Sequence, residues 1–173
     1  MKVLDKFEKK TLVRKVIPAL VEVLKEPQLS PHVLTSIFHV LEKDKFITTT
    51  EFRQAVWPAV TTLCKSKELP AQTLFLLLKN SELILKYVSS TEFSNHMLPL
   101  IQKSLECGVA KLQLLALEQI EKLFKTLEYQ HVKTNLIPRV LKVLEETDKV
   151  EVRIRVLEML KALQDVIDTA TMR

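Results

Sequence analysis

The sequence predicts an all-α fold, a right-handed α-solenoid of about four helical pairs whose first helices are bent by proline. Three observations carry this. An apolar pentapeptide with proline at its centre occurs four times, as Val16-Ile17-Pro18-Ala19-Leu20, Val56-Trp57-Pro58-Ala59-Val60, Met97-Leu98-Pro99-Leu100-Ile101 and Leu136-Ile137-Pro138-Arg139-Val140. The prolines stand forty, forty-one and thirty-nine residues apart. The chain has one glycine, few aromatic residues and abundant Leu, Lys and Glu, a composition that disfavours a β-sandwich or barrel. An interior proline removes a helix hydrogen bond at roughly 3 kcal/mol, so four at one period point to a feature each repeat needs. A period near forty is the signature of HEAT- or armadillo-type helical pairs.

The repeats are expected at approximately 5–45, 46–88, 89–127 and 128–168, forming a single domain without a linker. In the first, Val13, Val16, Ile17, Leu20, Val21 and Leu24 recur at helical spacing until Glu26-Pro27-Gln28. Ser30 is read as the N-cap of the second helix and Pro31 as its first residue. Leu34, Ile37, Phe38 and Leu41 form its apolar stripe, which ends at Glu42-Lys43-Asp44-Lys45.

The second repeat opens on a capping box, Thr48 with Glu51, and Ser89 with Glu92 repeats that spacing forty-one residues later. Phe52 and Phe93 each lie six residues before their proline. Pro70 is expected to start a helix reaching residue 88, with Leu74, Leu77, Leu78, Leu85 and Val88 on its buried side.

In the third repeat the turn Cys107-Gly108 predicts a helix end with positive φ. Leu112, Leu115, Ala116, Ile120, Leu123, Phe124 and Leu127 make the next helix apolar around much of its circumference, as a helix packed between neighbours requires. The fourth repeat starts near Tyr129 and turns at Glu146-Thr147-Asp148-Lys149. Its second helix carries Val152, Val156, Met159, Leu160, Leu163 and Ile167. Arg153 is expected to donate to Asp148 or to a turn carbonyl of an adjacent repeat. Because such repeats bury their stripes only against neighbours, the stripe Val156, Met159, Leu160 and Leu163 leads to an expectation of apolar exposure or self-association at the last helix.

No chemistry-bearing constellation emerges. His32, His39, His96 and His131 are dispersed, Cys64 and Cys107 form no CxxC, and phosphate-cradling glycine motifs and kinase signatures are missing. Catalytic, cofactor-binding and metal-binding residues are therefore expected to be none, cofactors none, and the chain no enzyme. Glu118–Lys122 and Glu121–Lys125 read as helix-surface pairs. The net charge of +5 is mixed, and the cluster Lys6, Lys9, Lys10, Arg14 and Lys15 reads either as a solvated helix face or as a patch for phosphates or acidic lipids. Unpaired thiols, no membrane-length apolar run and no signal-peptide core predict a cytoplasmic protein.

The stretches Thr50-Glu51-Phe52, Thr91-Glu92-Phe93, Met97-Leu98-Pro99-Leu100, Asn135-Leu136-Ile137-Pro138-Arg139 and Val150-Glu151-Val152-Arg153-Ile154-Arg155, in this order, carry a resemblance. The chain resembles the HEAT-repeat region of the Scy-like pseudokinases, in particular the branch associated with clathrin-coated vesicles. The resemblance implies a protein-binding scaffold in vesicle traffic, peripheral on Golgi or endosomal membranes, with vesicle-coat or adaptor components as partners. The kinase-like domain and coat-binding tail of that family have no counterpart here. A HEAT scaffold of another pathway, such as nuclear transport or phosphatase assembly, and a basic nucleic-acid-binding repeat stay open. The binding residues and the oligomeric state are left unassigned. Leu114-Leu115-Ala116-Leu117-Glu118 matches a clathrin-box pattern, yet its helical setting predicts core packing instead.

Overall fold

A computed structural model describes residues 9–26, 28–43, 47–124 and 132–171. Expectations for Lys6, Pro27, Asp44, Lys45, Leu127, Tyr129 and His131 fall outside these residues. Those described are helices joined by turns, with no strand among them. The chain divides into two compact units, Met1–Met97 and Leu98–Arg173, and the division falls inside helix Ser90–Glu106.

The prolines explain the local geometry of the first unit. Before Pro18 the helix widens into a π-turn over Leu12–Val16, and the Ile17 N–H donates to Leu12 O, five residues back. Phe52–Val56 does the same before Pro58, with the Trp57 N–H donating to Phe52 O. A proline ring in an α-helix strikes the carbonyl four residues earlier, and the extra residue in a π-turn moves that carbonyl away. Helix then continues through Ile17–Leu24 and Trp57–Cys64, so Pro58 stands inside the first helix of its repeat as expected.

The π-turn also resets the buried face. Leu12 and Ile17, five apart, are both buried, as are Phe52 and Trp57. Val13, Val16, Leu20 and Val21, placed on the stripe by a uniform 3.6-residue period, are only half-buried.

The second helix Ser30–Glu42 buries Leu34, Ile37, Phe38 and Leu41 as predicted. It packs against Ile17–Leu24 of its own pair and Ala71–Lys79 of the next, while Ile17–Leu24 packs against Trp57–Cys64. Like helices therefore neighbour like within this unit. Thr48 and Glu51 form the full capping box: the Thr48 N–H donates to the Glu51 carboxylate at 2.8 Å, and the Glu51 N–H donates to the Thr48 hydroxyl at 3.2 Å. Ser89 and Glu92 repeat it at 3.1 and 3.3 Å.

Two local expectations are corrected. Ser30 does not cap its helix; it is the first helical residue, fully buried, and its hydroxyl shares a 2.6 Å hydrogen bond with Thr73 of the neighbouring second helix. The helix expected from Pro70 to residue 88 breaks into Ala71–Lys79 and Ser81–Leu85. At the break the Asn80 side-chain amide donates to Leu76 O at 2.8 Å, the local competition that makes asparagine a poor helix-interior residue. The phase beyond it shifts, and Ile84 rather than Leu85 is the buried residue.

In the second unit, Gly108 follows helix Ser90–Glu106 with φ +69°, the left-handed conformation expected of it. Pro99 sits within that helix without a π-turn, whereas Val132–Leu136 widens before Ile137–Glu146 and its Pro138. Helix Val150–Thr171 packs against both Ala110–Leu123 and Ile137–Glu146. It buries Val152, Val156, Met159 and Leu163, with Leu160 half-buried, and leaves Val150, Ile154 and Leu157 exposed. Apolar exposure is thus present at the last helix, but on a different face from the stripe Val156, Met159, Leu160 and Leu163 that prompted the expectation, which is buried or half-buried.

The capping boxes make a pH-dependent contribution with a definite sign. The Thr48 backbone N–H, and then its hydroxyl, hold the Glu51 carboxyl below its ordinary value, so the gain is complete above the unfolded carboxylate pKa and is lost as pH falls from there through the lower folded value. Thr48→Ala is expected to cost about 1 kcal/mol in urea denaturation at pH 7. At pH 3 the difference from the parent should shrink, and an undiminished difference would show that the cap acts through packing.

Candidate protein-binding surface

Each histidine for which a side-chain environment is described sits apart from the others. His32 is exposed, His39 is half-buried on the same helix, and His96 meets the edge of Trp57 at 5.7 Å between ring centroids. Among the described residues no three His, Cys, Asp or Glu side chains converge as a metal site would require. Cys64 is half-buried, and desolvation pushes its thiol up to about 12, so the nucleophilic thiolate is scarce near neutral pH. Cys107 is exposed and its thiol points to Ser104 O at 3.1 Å.

What the geometry offers is surface, crossed within each unit by polar ties between residues about one sequence period apart. In the first unit Arg53 pairs with Glu92 at 3.1 Å, thirty-nine residues on, so the second capping box also receives a cation from the preceding repeat. The Ser89 hydroxyl, then its backbone N–H, and to a lesser degree Arg53, hold the Glu92 carboxyl below its ordinary value. The Tyr87 hydroxyl donates to Leu41 O at 3.1 Å in a buried setting, and its ring stacks near Phe52 at 5.0 Å. In the second unit Arg139 pairs with Glu106, Arg155 with Glu121, and the Lys149 ammonium donates to Gly108 O.

Sequence spacing did not foresee these ties, because no local pattern marks a partner some forty residues away. The period itself was the available signal: a charge at a given place in one repeat faces a fixed place in the next.

Arg153 shows the difference. Its Nε donates to Thr147 O at 2.9 Å, a turn carbonyl as expected but one belonging to its own turn rather than to an adjacent repeat. The sequence pattern had also offered Asp148 as its partner, and the bond goes to the carbonyl instead. The C-terminal carbonyls of helix Ile137–Glu146 need donors, and a guanidinium one helical turn into the next helix supplies one.

Two concave regions mark the units. In the first, a largely apolar groove of about 560 Å³ runs between first helices beside Pro58, lined by Val21, Leu24, Ala55, Ala59 and Leu63 with Lys25 and Lys65 at its rim. In the second, a mixed polar cavity of about 230 Å³ lies at the turns around Gly108 and Thr147, with Gln113, Arg139 and Lys149 in its wall. Gln113 is buried there and donates to Leu105 O at 2.9 Å. Lys9, Lys10 and Arg14 face Glu51 across a third, open hollow of about 330 Å³, which places the basic cluster beside the second repeat's cap.

The pentapeptide Leu114–Glu118 lies in the middle of helix Ala110–Leu123. Ala116 and Leu117 are fully buried and Leu114 and Leu115 half-buried, so the stretch is core, as its setting predicted.

These features define the class: an all-helical chain whose capped and proline-bearing helices recur at a period near forty. In comparison with known proteins it is similar to human SCY1-like protein 2, at 28% identity over 167 residues, covering 96% of this chain. The mouse SCY1-like protein 2 matches to the same extent. The chain is thus related to SCY1-like protein 2, and it spans 18% of the length of these curated relatives. No family model matches, and no solved structure matches. Among the described residues no helix is long and apolar enough to cross a membrane.

Arg153→Ala is expected to destabilise the chain by about 1 kcal/mol, the worth of a hydrogen bond from a charged donor discounted for its exposure. Thermal denaturation checks this, and a change within about 0.5 kcal/mol would remove Arg153 from the structural framework.

Proposed function

We propose that the chain is a non-catalytic protein-binding scaffold, a right-handed solenoid of about four HEAT-type helical pairs acting within a Scy-like pseudokinase adaptor in clathrin and vesicle traffic. The observation that carries this reading is the similarity to SCY1-like protein 2 across nearly the whole chain. Recurrent structure supports it. Capping boxes recur, the first helices widen before proline in three repeats, and polar ties link places about one period apart. Such a chain is stiff along its length and offers long surfaces to extended or helical partner segments. On this reading it works in the cytoplasm and reaches Golgi or endosomal membranes through its partners, with no cofactor.

The Leu114–Glu118 stretch has no part in coat binding. Reading it as an extended peptide would break helix hydrogen bonds and expose Leu117, and burying such a side chain stabilises by roughly 1.5–3 kcal/mol.

Co-sedimentation with purified clathrin-coated vesicles tests the proposal. The chain is expected to pellet with coats and to show no affinity for the isolated clathrin terminal domain. Leu117→Ala is expected to destabilise it by about 2–5 kcal/mol without conferring or removing coat affinity in whatever fraction stays folded. Failure to pellet, together with RNA binding that weakens steeply with salt, would instead favour a nucleic-acid-binding repeat.

A further inference from the structure

The polar cavity of the second unit lies between the turns of the third and fourth repeats, and every residue of its wall, from Leu105 to Lys149, is described. Helices Ser90–Glu106 and Ile137–Glu146 both end at it. The unbonded carbonyls of a helix C-terminus carry partial negative charge and call for donors. The fold answers that need twice with basic side chains: the Lys149 ammonium donates to Gly108 O, and Arg153 Nε donates to Thr147 O at 2.9 Å. Two acceptors stay unanswered. Gln113 is only 6% exposed, and its Nε2 is committed to Leu105 O at 2.9 Å. That bond fixes the orientation of the amide and leaves Oε1 with no hydrogen-bond partner among the described residues. The exposed Asp148 carboxylate, in the same wall, has no ion pair among them either. The cations of the wall are engaged: Arg139 with Glu106, Lys142 with Glu146 at 3.8 Å, and Lys149 with the Gly108 carbonyl. Spare acceptors, engaged donors and two helix C-termini disfavour an anion and suit a cationic donor.

We propose that this cavity takes the guanidinium of an arginine from a partner segment, bonded to Asp148 at the exposed rim and to Gln113 Oε1 at the buried end. The planar fork of a guanidinium presents five N–H donors and serves a carboxylate and an amide oxygen at once, as a compact ammonium does not. A buried acceptor without a donor is costly, so supplying that donor is a source of affinity. Oε1 is shielded from solvent, and the entering group reaches it by displacing the Lys142–Glu146 side of the wall, where the pair is loosest. The volume of about 230 Å³ far exceeds what one bridging water for Gln113 would need. This site rests on the protein-binding reading and names what a partner presents there. It is read by peptide titration rather than by coat pelleting, so each can fail without the other.

The test titrates the capped peptide acetyl-Gly-Arg-Gly-amide into the isotope-labelled whole chain and follows amide resonances by NMR. The same peptide with citrulline in place of arginine is the neutral control of equal shape. Saturable shifts at Gly108, Asp148 and the Gln113 side-chain amide are expected, with the citrulline peptide binding about threefold to fivefold more weakly, the scale of one partly exposed ionic contact. Asp148→Asn, at an exposed turn position, should weaken the arginine peptide by a similar factor while leaving the melting curve unchanged. Inorganic phosphate should leave these resonances in place. Equal binding of the two peptides, no shift at these residues up to the solubility limit, or undiminished binding in Asp148→Asn would each overturn the proposal. So would shifts produced by phosphate, which would make this an anion site, or tighter binding of agmatine than of the peptide, which would name a small guanidinium compound as the occupant.

Discussion

A helix that is apolar around much of its circumference cannot be satisfied by one neighbour, and this constraint shapes the chain more than any single bond. Ala110–Leu123 buries Leu112, Ala116, Leu117, Ile120 and Leu123, a set too wide for one packing partner. Ser30–Glu42 is the same, with Val33, Leu34, Ile37, Phe38, Val40 and Leu41 buried. Stability in such helices comes from several helix–helix interfaces at once rather than from one. Every other feature serves to keep those interfaces in register.

Register is where the polar ties act. Exposed ion pairs such as Arg53–Glu92 contribute little energy each, about 0–1 kcal/mol. Their value is directional, since each fixes one repeat against a particular place in the next. The buried Ser30–Thr73 and Tyr87–Leu41 hydrogen bonds are more exacting, because removing either partner strands a desolvated polar group. The π-turns before Pro18, Pro58 and Pro138 work at a third level. They rotate the apolar face of the first helix so that Leu12 with Ile17, and Phe52 with Trp57, point the same way.

Local chemistry made much of this legible in the sequence. Capping boxes are decided within four residues, and Thr48–Glu51 and Ser89–Glu92 could be read directly. Gly108 could be read because few other residues tolerate its φ. The second-helix stripe Leu34, Ile37, Phe38 and Leu41 followed from plain helical periodicity. Misreadings arose where that periodicity was interrupted or where a distant partner outweighed a local preference. The π-turns displaced the expected stripe of the first helix, and Asn80 split a helix that apolar spacing made continuous. Ser30 next to Pro31 has the look of a cap, and its bond to Thr73, forty-three residues away, could not be read from local sequence. Of the candidate surface, apolar exposure on the last helix was foreseen, but Val150, Ile154 and Leu157 carry it, not the stripe of Val156, Met159 and Leu163.

Hydrogen exchange by mass spectrometry reads the central claim, that burial around most of a helix's circumference is what stabilises it. Ala110–Leu123, buried on most of its circumference, should exchange far more slowly than residues 150–164 of Val150–Thr171, one face of which is open. Equal protection of the two helices would contradict the account, because protection would then owe nothing to how much of a helix's circumference is buried.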